Sequence, residues 1–136
     1  MRIAGSFGFS RLVALSLFCT LSGCSTHVPV EKVYGSYILS YPYGTETLTL
    51  NRDGTFVQAI AVNREKPVTA RGRWEFDEGK EESRLTLHGA MIVDNGFGGL
   101  RDDWQRPVAG LVAPSVEIDW LRVVIAYGGA QRFRKQ

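Results

Sequence analysis

The sequence predicts an all-β domain, a small antiparallel meander of seven or eight strands closed into a barrel or sandwich. Three observations carry this. Apolar and polar residues alternate with period two in several segments, most cleanly from Val68 to Asp77, the pattern of a sheet with one wet face. Gly, Pro, Asn and Asp punctuate those segments at short intervals, as turns between strands do. No segment carries a sustained helical repeat.

The elements follow in order. Gly35, Tyr37, Leu39 and Tyr41 share one face of a first strand, which Pro42 and Gly44 end. Glu46-Thr47-Leu48-Thr49-Leu50 alternates, with Leu48 and Leu50 on one face and the threonines on the other. Asn51-Arg52-Asp53-Gly54 is a turn, because Asp-Gly tolerates the positive φ of a tight hairpin. Thr55 to Val62 returns as the partner strand. Val68, Ala70, Gly72, Trp74 and Phe76 then fall on one face, and Thr69, Arg71, Arg73, Glu75 and Asp77 on the other. Glu78-Gly79-Lys80-Glu81 turns the chain, and Arg84 to His88 alternates again. Met91-Ile92-Val93 reads as a further short strand. Val116–Trp120 and Arg122–Ala126 are strand-like, Gly128-Gly129 turns, and Gln131–Arg134 closes the domain. Closing such a meander on itself removes exposed sheet edges.

Four of these segments resemble small bacterial lipocalin-like domains. They are Gly35-Ser36-Tyr37, then Glu46 to Phe56 with its Leu-Thr-Leu and Asp-Gly-Thr-Phe, then Gly72-Arg73-Trp74-Glu75-Phe76, and Arg84-Leu85-Thr86-Leu87. The resemblance spans roughly Val33 to Leu87. It implies a lipocalin-like barrel and, since such lipoproteins often hold apolar ligands, a carrier of a small apolar ligand as one reading. The bulk of Tyr37, Phe56, Trp74 and Phe76 favours an interior filled by side chains.

The N-terminus resembles a bacterial lipoprotein leader. Arg2 and Arg11 give a positive start, and residues 12–19 are a short apolar run, too short for a membrane span. Leu21-Ser22-Gly23-Cys24 resembles a lipobox. That implies a leader over 1–23, lipidation of Cys24, a tether over 24–32 and a domain over 33–136. Ser25, where an aspartate would signal inner-membrane retention, implies the outer membrane facing the periplasm. Removing 23 of 136 residues leaves 113, one domain's worth. Cys19 leaves with the leader, so the domain has no disulfide to rely on. Of 16 basic residues, the leader takes Arg2 and Arg11, and the other 14 balance 14 acidic ones. That balance excludes a dedicated nucleic-acid binder. Arg132, Arg134 and Lys135 read as a solvated terminal strand.

Gly89 to Ser115 is a long irregular connection, of the kind that often carries function. Asp94-Asn95-Gly96-Phe97-Gly98-Gly99-Leu100-Arg101-Asp102-Asp103-Trp104 gathers glycines, carboxylates, an arginine and two aromatics. Phe97, Arg101, Asp102 and Trp104 are the candidate contacts to a protein partner or small ligand. The same residues also suit an ordered loop, with Phe97 and Trp104 plugging a barrel end. Asp94, Asn95, Asp102 and Asp103 lack the ladder of a calcium loop. Gly96 to Gly99 lacks the lysine of a phosphate loop. His27 and His88 have no partner at zinc spacing, and no nucleophile elbow is present. The expectation is a non-enzymatic, membrane-anchored envelope protein without metal or cofactor. The alternatives are the apolar-ligand carrier and a periplasmic immunity or inhibitor protein.

Overall fold

Eight antiparallel strands, joined in chain order, close into a barrel. The computed structural model describes residues 27–79, 82–119, 122–128 and 131–136. The leader and Cys24 lie outside the described residues. The strands are β1 (Gly35–Tyr41), β2 (Gly44–Leu50), β3 (Thr55–Val62), β4 (Val68–Asp77), β5 (Ser83–His88), β6 (Leu111–Val112), β7 (Ser115–Asp119), β8 (Arg122–Gly128) and β9 (Gln131–Lys135). Each pairs with its neighbour from β1 to β5. β5 pairs with β7 at Ser83↔Val116 and with the two-residue β6 at Leu87↔Val112. β9 closes the ring onto β1 through Tyr37↔Lys135 and Ile38↔Arg134. The closed ring therefore holds eight strands, with β6 a stub beside them.

Period two puts the apolar set inside. Tyr37, Leu48, Leu85, Leu87, Ile125 and Phe133 are fully buried, and Leu39, Leu50, Phe56 and Trp74 nearly so. The Asn51–Gly54 turn forms as expected. Gly54 takes φ +80°, and the Asp53 carboxylate accepts from the Thr55 amide at 3.0 Å and hydroxyl at 2.6 Å. Trp74 seals that end, its indole N–H donating to the Asn51 carbonyl at 2.9 Å.

Gly72 explains the glycine before this tryptophan. It pairs with Phe56, and a Cβ at Gly72 would lie 2.0 Å from the His88 carbonyl oxygen and 2.6 Å from the Phe56 ring. The missing side chain is the room that the Phe56 ring and the adjoining strand occupy.

Two expectations are corrected. The tether expected over 24–32 packs onto the barrel over its described residues, 27–32: Val28 is fully buried, and Val30–Lys32 form a single 3-10 turn. The Val28 amide donates to the Ser83 hydroxyl, and the Val30 amide to Glu78 Oε1, both at 3.0 Å. The segment lacks a period, yet its Val28 joins the main core at the barrel end, beside Val33. Met91-Ile92-Val93 is also not a strand. Met91 bridges Pro107 and Asp94 bridges Leu100, so the chain folds back on itself there and never joins the sheet.

Gly72→Ala should lower stability by about 1–3 kcal/mol in urea unfolding, because the new methyl overpacks the core. Gly110→Ala, where no atom lies within 4 Å of the added carbon, should leave the midpoint nearly unchanged.

Candidate functional site

The connection between β5 and β6 turns into the mouth of the barrel and plugs it. Its anchor is Gln58, an inward-facing amide on β3. Gln58 Nε2 donates to the Met91 carbonyl at 2.8 Å, and Gln58 Oε1 accepts from the Met91 amide at 2.7 Å. The side chain pairs with the loop backbone as a neighbouring strand would. Above it Ile60, Val62, Ala70, Met91, Val93 and Trp104 form a second apolar cluster. Below it lies the main core.

Between the two sits a buried polar layer. Glu46, on β2, is 2% exposed. One carboxylate oxygen accepts from Gln58 Nε2 and the other from the Tyr41 hydroxyl, at 2.8 Å. Burial pushes the carboxyl up to about 7 against an ordinary 4.5, although both hydrogen bonds pull it back down. Burial and Glu46 together raise the Tyr41 and Tyr127 hydroxyls above the usual phenol range. Tyr41 and Tyr43 stack at 5.0 Å. Tyr43 donates to Asp94 Oδ2 at 3.0 Å. Burial works to raise Asp94, yet hydrogen bonds from the Gly96 amide, Tyr43, Gln131 and the Gly98 amide hold it below the usual carboxylate range. It is therefore the fixed negative charge of the site.

The Tyr127 hydroxyl is buried and has no hydrogen-bond partner. Tyr127 lines a void of about 10 Å³ with Tyr41, Glu46 and Met91, room for at most one water. It also lines a surface cleft of about 350 Å³ with Ile92, Asp94, Val112, Pro114 and Gln131. The void and the cleft share Ile92, Asp94, Tyr127 and Gln131, so they stand side by side.

The candidate residues of the loop part company. Phe97 is 95% exposed at the tip of a turn held by Asn95, whose Oδ1 accepts from the Phe97 amide at 2.9 Å and the Gly99 amide at 3.1 Å. Gly96 and Gly98 supply positive φ on either side. Arg101 clamps Asp103 in two parallel bonds of 2.8 and 2.9 Å, and the nearby Asp102 is exposed. Trp104 is 5% exposed and belongs to the plug. It offers no surface to a partner, because the apolar cluster above Gln58 claims its ring.

Glu46, Gln58, Tyr41, Tyr43 and Tyr127 were not among the sequence candidates. A signal existed in the first two. Glu46 is in phase with Leu48 and Leu50, and Gln58 sits between Phe56 and Ile60 on the inward face. Polar residues in phase with a core must find partners there.

The histidines stand apart from this site. His27 Nδ1 lies 3.1 Å from the Glu78 carbonyl oxygen, and His88 Nε2 lies 3.3 Å from Glu75 Oε1. Among the described residues no cluster of three or more His, Cys, Asp or Glu is placed to hold a metal ion. No helix of the described residues is long and apolar enough to cross a membrane.

A carboxyl raised by folding favours the folded state below its unfolded value and loses that advantage as pH rises through the folded one. Stability should therefore fall by about 3 kcal/mol between pH 4.5 and 7 on account of Glu46. Urea unfolding across that range should show the slope in the wild type, and Glu46→Gln should flatten it.

Comparison with protein-family models, curated proteins and solved structures finds no match.

Proposed function

We propose that the chain is a lipid-anchored envelope protein, not an enzyme, whose barrel presents the 89–115 face to a partner or small ligand in the periplasm. The observation that carries this is Phe97. A large apolar side chain left in water on a loop fixed by Asn95 is the type of residue that anchors an interface. Arg101 and Asp102 flank it with charge.

The position of the face supports the reading. The 27–33 segment packs at the barrel end formed by the start of β1 and the β4–β5 connection. The loop packs at the other end, on Tyr43 and Gln131. Two residues, Ser25 and Thr26, separate Cys24 from His27, a reach of about 10 Å at most. A lipid on Cys24 would hold the first end at the bilayer and turn Phe97 away from it. An apolar carrier using the barrel interior is the weaker reading, since bulky side chains fill the main core.

Two experiments test the proposal. A photo-crosslinking phenylalanine analogue at Phe97 should give an adduct in intact cells. The same analogue at Arg52, exposed at the opposite end, should not give that adduct. Adducts that are absent or identical at both positions would remove the face from contention. Cys24→Ala should leave the chain uncleaved or release it from the membrane fraction. A cleaved, membrane-bound product would refute the anchor.

A further inference from the structure

We propose that the void beneath the plug and the cleft beside it bind an alkylammonium group, its head beside Glu46 and Tyr127 and its stem along Val112 and Pro114. The proposal rests on the binding reading of the 89–115 face and narrows the chemistry of the cleft half of it.

Three observations carry it. The Tyr127 hydroxyl is buried without a partner, a state that native interiors avoid unless something else fills the need. The void is about 10 Å³, the size class of one water and of one ammonium head. The groups around it suit a donor-only ligand. An ammonium brings three donors and no acceptor, and it would meet the Glu46 carboxylate, the Tyr127 oxygen and the anionic Asp94. Among the described residues no lysine, arginine or histidine lines the void or the cleft, so an anionic head would find no counter-charge there. The walls beyond are apolar at Ile92, Val112 and Pro114, as a short methylene stem requires.

The titratable groups around Glu46 are Tyr41 on β1, Tyr43 in the β1–β2 turn, Tyr127 on β8 and Asp94 in the loop. The three phenols are held protonated, and Asp94 ionised, across the neutral range. Glu46 alone of this set changes charge near neutrality, so affinity for a cation should rise as pH passes upward through its titration.

Isothermal titration of the full chain in detergent tests this, with n-butylamine against 1-butanol as probes. The amine should bind with Kd of about 1 mM or tighter, and the alcohol at least about tenfold more weakly. Glu46→Gln and Tyr127→Phe should each weaken the amine at least about tenfold, with Arg52→Ala, exposed at the opposite end of the barrel, unchanged. Nα-acetyl-lysine methylamide distinguishes the source. If it binds as well as butylamine, a lysine of a partner can be the ligand, and if it does not, the ligand is a free amine. Equal binding of amine and alcohol, no binding of either, or an unchanged Kd in both folded variants would overturn the proposal and leave a structural water as the occupant. The comparison of amine and alcohol uses the wild type and stands if a variant fails to fold. Crosslinking at Phe97 in the Glu46→Gln chain separates this failure from failure of the wider binding reading.

Discussion

The amide of Gln58 is the joint on which the upper half of the molecule depends. A β-barrel mouth exposes the ends of eight strands, and the plug that covers this one is irregular chain with its own backbone groups to satisfy. Gln58 solves the central case. Its carbonyl and its N–H both meet Met91, so the loop enters the barrel without orphaning its peptide. The same N–H group reaches Glu46. One side chain thus ties β3, β2 and the loop together, and the apolar cluster of Met91, Val93 and Trp104 assembles above it. An apolar residue of similar volume at position 58 would leave the Met91 peptide and one oxygen of the Glu46 carboxyl unpaired together. That loss is larger than the net value of either bond, because buried polar groups without partners bear the full cost of desolvation.

The lower half is held differently. It relies on apolar packing with little polar help, and its tightest constraint is steric. Phe56, Gly72 and Trp74 form one unit: the ring of Phe56 fills the space above Gly72, and Trp74 reaches past it to the Asn51 carbonyl. The Asp-Gly hairpin sets Phe56 opposite Leu50, and the β3–β4 pairing sets it opposite Gly72. Turn chemistry, strand register and core volume agree there, and such agreement across levels is how a sequence selects one fold. Val28 and Val33 add to the same core at the barrel end.

What was legible in the sequence follows from this division. The lower half reads well because its signals are local. Alternation in 46–50 and 68–77, and the Asn51–Gly54 turn, each depend on neighbours in the chain. The upper half reads poorly because its determinants are distant. Gln58 and Met91 are far apart in sequence, as are Tyr43 and Asp94. No period marks 89–110, so Trp104 and Phe97 look alike as aromatics near glycines, although one is core and the other is in water. The same holds for Val28, which nothing local distinguishes from a tether residue. Glu46 and Gln58 were visible as polar residues in apolar phase, but only a partner list turns that observation into a site.

The polar layer also sets what the plug can respond to. Glu46 is buried, carries hydrogen bonds on both oxygens and has an unpartnered phenol lining the same void. Its charge is therefore coupled to whatever occupies that void. A cation there favours the carboxylate, and the carboxylate favours the cation to the same degree, since linkage between two binding events is reciprocal. The Gln58 amide that holds Glu46 also holds the backbone of Met91, three residues before Asp94 and the Asn95 turn. Asp94 is itself pinned by the Gly96 and Gly98 amides, the residues on either side of Phe97. The buried layer and the exposed aromatic are thus joined by a short, continuous run of hydrogen-bonded chain.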